Sequence, residues 1–145
     1  MTGNFCYKYP RPAVTTDCVI FGHDGAVMKL LLIKRGNEPY KDKWAFPGGF
    51  LNMDESAEEG VKREVKEETG LNLDRVEQIH TFTNPDRDPR GRVITIAYFA
   101  KIEIREVKGG DDAREARWFT LDSLPELAFD HDQILKMALD KLKEK

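Results

Sequence analysis

The chain reads as an α/β domain with a mixed β-sheet between helices, and three observations predict it. Alternating, β-branched stretches with the period of a strand recur at 13–21, 27–34, 76–82 and 92–104. A charged segment beginning near Ala57 has helical spacing and signals for both of its ends. An apolar stripe of Ile134, Leu135, Ala138, Leu139 and Leu142 marks a last helix.

Residues 1–12 form an extended arm, with Phe5, Tyr7 and Tyr9 ahead of Pro10 and Pro12. The first two strands are separated by the turn His23-Asp24-Gly25, and Pro47-Gly48-Gly49 makes a tight loop where backbone can approach a ligand. Ser56 and Glu59 form an S-x-x-E capping box that starts the first helix, and Gly70 can take the left-handed conformation that ends it. After the two later strands a shorter one is expected over 116–119, and Asp130 and Gln133 can cap the last helix. With no repeat and no low-complexity linker, 1–145 is expected to be a single domain.

Composition narrows the class. A chain of 145 residues suits one core. Charged residues at 34% and hydrophobic ones at 40% describe a globular chain rather than a disordered one. A net charge of −3, with Lys and Arg spread along the sequence, gives no footprint for duplex nucleic acid. There is no signal peptide and no apolar run of about 18 residues, so a membrane is not expected. Cys6 and Cys18 have no C-x-x-C pairing, which points to a reduced, cytoplasmic setting, and Cys18 sits in an apolar strand as a small core residue.

The chemistry concentrates on the first helix. Glu64, Glu67 and Glu68 stand at i, i+3 and i+4 and project from one face. Like charges so placed destabilise a helix by roughly 0.2–0.5 kcal/mol, and a cation reverses that sign. A solvated charged helix is the plainer alternative, since Glu58–Lys62, Glu59–Arg63 and Arg63–Glu67 have the spacing of ion pairs. On the helical wheel, however, Lys62 and Lys66 mark the outer side while Glu64 and Glu68 fall in the inner sector beside Val61. Carboxylates rarely sit at a core margin unless paired or metal-bound. The cluster is therefore read as a divalent-metal site.

Gly49, Glu55, Arg63, Glu64, Val65, Glu67, Glu68, Gly70 and Leu71 fill every defined place of G-x5-E-x7-R-E-U-x-E-E-x-G-U, where U is bulky and aliphatic. This stretch resembles the Nudix box, a signature far more specific than a lone glycine motif. The resemblance implies an α/β/α sandwich and hydrolysis of a nucleoside diphosphate linked to another group. It implies Mg²⁺ or Mn²⁺ held by Glu64, Glu67 and Glu68 with the Gly49 carbonyl, and Arg63 bracing the cluster. Glu64 and a late-loop carboxylate, with Asp112 and Glu115 as candidates, are the groups that could take the proton.

The substrate is read elsewhere. Asn84-Pro85-Asp86-Arg87-Asp88-Pro89-Arg90-Gly91 has the composition of a surface turn. Its prolines also limit its freedom, and Arg87 and Arg90 suit phosphate recognition. This run, and the ending Leu127-Ala-Phe-Asp-His131, resemble the bacterial and archaeal ADP-ribose pyrophosphatases. That likeness implies a small nucleotide-sugar substrate, ADP-ribose, and a homodimer. Arg35, Gly48, Gly49 and Tyr9 join Arg87 and Arg90 as candidate substrate contacts; Tyr9 could stack on adenine or meet a second subunit. Trp44 and Phe46 are expected to pack in the core, and His131 to serve the first turn of the last helix. Two alternatives stay open. One is a nucleoside-triphosphate pyrophosphohydrolase of the MutT kind. The other is a non-catalytic ADP-ribose sensor, against which stand the intact carboxylates and a chain end at Lys145 expected to leave no room for a basic helix-turn-helix.

Overall fold

The computed structural model describes residues 4–110 and 113–144, in which seven strands and two helices are found. They run β1 (Ala13–His23), β2 (Met28–Arg35), β3 (Trp44–Ala45), β4 (Gly48–Phe50), α1 (Ala57–Thr69), β5 (Glu77–Phe82), β6 (Val93–Glu103), β7 (Ala113–Thr120) and α2 (His131–Lys143). The strands join into one mixed sheet along the path β3-β2-β1-β6-β5, with β4 paired to β1 and β7 to β2. Only β1 and β6 run parallel among these pairs, and they do so over the whole length of β1, from Ala13↔Val93 to His23↔Glu103.

Strand alternation makes the layers. Cys18 and Ile20 of β1 turn to one face, where Leu31, Val61 and Val65 pack with them under α1. Val19 and Phe21 turn to the other, where Leu30, Leu32, Phe99, Ile134 and Ala138 form the core under α2. The sheet therefore lies between two helices, as the strand and helix pattern predicts. Burial pushes the Cys18 thiol well above its ordinary pKa, with neighbouring Asp17 adding to it, so the thiol is an inert core group.

Local chemistry sets the limits of α1. Ser56 accepts a hydrogen bond from the Glu59 amide, and the Glu59 carboxylate accepts one from the Ser56 amide. Gly70 closes the helix at φ 81°, its amide donating to Lys66. Glu59 is thereby committed to the cap and not to Arg63, whereas Glu58–Lys62 and Arg63–Glu67 do form ion pairs.

Other expectations are corrected. Asp130 occupies the cap position of α2 but makes no capping bond, because Arg87 takes its carboxylate at both oxygens. The short strand over 116–119 extends back to Ala113, drawn out by pairing with β2. The pairs β3 and β4, too short for a periodic signal, flank Pro47.

Candidate functional site

The box residues converge because β4 is stitched onto β1. Asp17 pairs with Gly48 and Thr16 with Gly49, while Cys18 donates to the Pro47 carbonyl at 2.9 Å. Both glycines are required by close approach. A Cβ on Gly48 would lie 2.0 Å from the Thr16 carbonyl oxygen, and one on Gly49 would lie 2.7 Å from the Glu64 carboxylate. The strand thus lies flat against both the sheet and the inner face of α1.

Arg63 ties this arrangement together. Its Nε and Nη2 donate to the two oxygens of Glu55 at 2.8 Å each, and Nη2 also reaches the Phe50 carbonyl at 3.2 Å. Its Nη1 donates to Glu64 at 2.8 Å and Glu67 at 3.1 Å. The bonds from Arg63 hold the Glu55 carboxyl down at about 2, while the guanidinium is pushed above its usual range. Glu68, only 6% exposed, accepts from the Gly48 amide at 2.8 Å.

Glu64 and Glu68 border a cleft of about 410 Å³ together with Gly48, Gly49, Arg35, Arg87 and Arg90. Carboxylate and guanidinium groups thus line the same cleft. Among the described residues no three Asp, Glu, His or Cys side chains enclose a cation unaided. Mg²⁺ needs no such cage, since it keeps several waters and takes phosphate oxygens alongside one or two carboxylates. An oxygen-only donor set of this kind fits a hard divalent ion.

The arginines differ in how they are held. Arg87 is 9% exposed and gripped by Asp130, with a weaker bond to the Val93 carbonyl. Arg90 pairs with Asp88 at 2.6 Å and lies between the rings of Phe50 and Phe129, at 4.9 and 5.3 Å. Arg35 donates to the Pro39 carbonyl and sits 5.0 Å from the Phe129 ring. Burial lowers its basicity, and nearby Arg90 lowers it further. Phe129 and Tyr40, with rings 4.7 Å apart, are both left-handed at φ 53° and 61°. Such backbone costs about 1–3 kcal/mol per residue in a non-glycine and collects at ligand sites.

The remaining candidates lie apart. Glu67 pairs with Arg63 outside the cleft, and Glu115 stands on β7 opposite Lys34, bonded to Arg117. Asp112 falls outside the described residues. Tyr9 is 68% exposed and does not border the cleft. Trp44 and Phe46 pack in the core as expected. Two residues of the cleft went unforeseen in their role, Asp17 and His131, both buried. A carboxylate inside an apolar strand run was the available signal for Asp17.

The NUDIX domain profile matches residues 11–138. The chain belongs to the NUDIX family. It is 48% identical to an ADP-ribose pyrophosphatase of Methanocaldococcus jannaschii over 88% of its length and 73% of the relative's. It is 36% identical to the ADPR responsive transcriptional repressor NtrR of Acinetobacter baylyi over 94% of its length, spanning only 57% of that protein. Among solved structures, the NUDIX domain of Shewanella oneidensis NrtR complexed with ADP ribose aligns at TM-score 0.88 and 32% identity, covering 96% of this chain and 94% of that one. This Nudix fold is thus shared with proteins that differ in what they do with related ligands.

Proposed function

We propose that this Nudix chain is a metal-dependent ADP-ribose diphosphatase that yields AMP and ribose 5-phosphate. The observation that carries it is the cleft itself, which Glu64, Glu68 and the Gly48–Gly49 backbone line together with Arg35 and Arg90. The 48% identity to an ADP-ribose pyrophosphatase supports the choice of substrate.

Glu64 and Glu68, with the Gly49 carbonyl, are the groups that would hold Mg²⁺ or Mn²⁺, while Glu67, outside the cleft, steadies Arg63. When bound, the cation neutralises the diphosphate and makes water a better acid. Arg63 keeps Glu64 in register with the loop. A water oxygen attacks one phosphorus in line, the bridging P–O bond breaks, and the bridging oxygen leaves with the other phosphate. Glu64, which borders the cleft, is the carboxylate proposed to take the proton from water. Arg90 and Arg35 counter the charge of the phosphates.

Product analysis tests this. With Mg²⁺ present, ADP-ribose should give AMP, and Glu64→Gln should slow turnover by roughly 10²–10⁴-fold. Release of pyrophosphate from nucleoside triphosphates, with ADP-ribose untouched, would replace this reading with the MutT-like one. A second reading, an ADP-ribose sensor, is favoured by the likeness to the NrtR domain complexed with ADP ribose. Tight binding without any turnover would select it. The exposed arm of Phe5, Tyr7 and Tyr9 supports a homodimer, to be checked by light scattering. The unpaired thiols of Cys6 and Cys18 support a reducing, cytoplasmic site of action.

A further inference from the structure

At the floor of the cleft two polar side chains face one another across a gap. Asp17 is 8% exposed, and its Oδ2 accepts from the Thr95 hydroxyl at 2.6 Å. Its Oδ1 lies 3.7 Å from His131 Nε2, too far for a hydrogen bond. His131 is 3% exposed, and its Nδ1 accepts from the Phe46 amide at 3.1 Å. That bond places the proton of the neutral ring on Nε2. Burial holds the imidazole below its ordinary basicity despite Asp17 and Asp130, so the two do not form an ion pair near neutral pH. Among the described residues neither Asp17 Oδ1 nor His131 Nε2 has a hydrogen-bond partner.

The floor therefore presents one acceptor and one donor, 3.7 Å apart, to whatever fills the cleft. A hydroxyl group answers both, donating to the carboxylate while accepting from the imidazole. A pair of neighbouring hydroxyls does so as well, one on each atom. The face of the His131 ring is covered by Phe46 at 4.9 Å, so it offers an N–H and not a stacking surface. Flat surfaces for a base lie instead at Phe50 and Phe129, with Arg90 between them.

Position decides which hydroxyl. Asp17 is the partner of Gly48 across the β1–β4 ladder, and the Gly48 amide holds Glu68. On the diphosphatase reading, on which this inference rests, the phosphates lie along that edge. Both riboses of ADP-ribose are bonded directly to a phosphate, but the adenosine ribose is tied to the base. With the base on the flat surfaces at Phe50 and Phe129, the sugar left for the floor is the terminal one. We propose that Asp17 and His131 form a sugar-hydroxyl subsite that recognises the 2- and 3-hydroxyls of the terminal ribose.

The test compares ADP-ribose with an analogue whose terminal sugar lacks its 2- and 3-hydroxyls, using the full chain with Mg²⁺. The wild type should prefer ADP-ribose in kcat/KM by about 10–100-fold, as two ordinary hydrogen bonds would give. Asp17→Asn, which keeps the size of the side chain and a partner for Thr95, should shrink that preference by about three- to tenfold. His131→Gln should do the same, and it carries the test if Asp17→Asn does not fold. An unaltered preference in the variants, or an equal loss on both substrates, overturns the proposal. So does a fall in Mn²⁺ affinity of the substrate-free Asp17→Asn protein, which would make Asp17 a metal ligand. Should the wild type bind ADP-ribose without cleaving it, the diphosphatase reading fails alone. The same preference, measured as binding affinity by calorimetry, then decides the subsite.

Discussion

Gly48 and Gly49 are adjacent in sequence, yet adding one methyl to each should do different damage. In Gly48→Ala the new carbon would lie 2.0 Å from the Thr16 carbonyl oxygen and 2.8 Å from the Asp17 Cα. Both are backbone atoms of β1, so β4 must lift from the sheet by more than an ångström to reach ordinary contact. Overpacking costs 1–3 kcal/mol in ordinary cores, and with no side chain able to yield the upper end applies, about 3 kcal/mol. For a chain of this size that corresponds to a fall in melting temperature of roughly 10 °C. In Gly49→Ala the methyl meets the far end of Glu64 at 2.7 Å, which can rotate away. Stability should change by less than about 1 kcal/mol. The displaced carboxylate, however, leaves its place beside the loop, and a shift near 1 Å can reduce turnover by about 10²-fold. Thermal melts and AMP release, measured on both variants, give the comparison. A Gly48→Ala protein that melts with the wild type, or a fully active Gly49→Ala protein, would refute the reasoning.

Three further outcomes follow from the site. Glu55 falls from an ordinary 4.5 to about 2 in the folded chain through its bonds with Arg63, so that stabilisation is complete above about pH 4.5 and disappears as pH falls towards 2. The stability gap between wild type and Glu55→Gln should therefore close over that window in pH-dependent melts; a gap constant with pH would contradict it. The Arg87–Asp130 pair, with side chains 4% and 11% exposed, should cost about 3 kcal/mol when either partner alone becomes Ala, and the double variant far less than the sum; additive losses would rule the coupling out. Chelation with EDTA should stop turnover while leaving the circular dichroism spectrum intact, because Arg63 and the Gly48 amide hold the carboxylates without a cation. Turnover persisting in EDTA would remove the metal from the mechanism.

Features governed by neighbours in sequence were legible in advance. The capping box at Ser56 and the left-handed Gly70 are chemistry within a few residues, and α1 begins and ends where they place it. The inward turn of Glu64 and Glu68 follows from helical spacing alone. What escaped depended on partners far along the chain. Asp130 has the composition of a helix cap, but Arg87, brought to it by the loop before β6, competes for the same oxygens and wins with a two-bond, charged contact. His131 is the first residue of α2, and only the packed structure shows its Nδ1 bonded to Phe46. Asp17 lies in an apolar run that hid its place at the cleft floor. The strands β3 and β4 are two and three residues long and cannot display a period at all.

One guanidinium gathers Glu55 from the loop, Glu64 and Glu67 from the helix, and the Phe50 carbonyl from the strand. That makes the interval between loop and helix a matter of metre as well as of residue type. Inserting a single residue between Glu55 and Arg63 would swing the arginine by about 100° around the helix axis, carrying it off Glu55 and the Phe50 carbonyl while Glu64 and Glu67, on the same helix, turn away with it. The segment can tolerate changes of side chain more readily than changes of count.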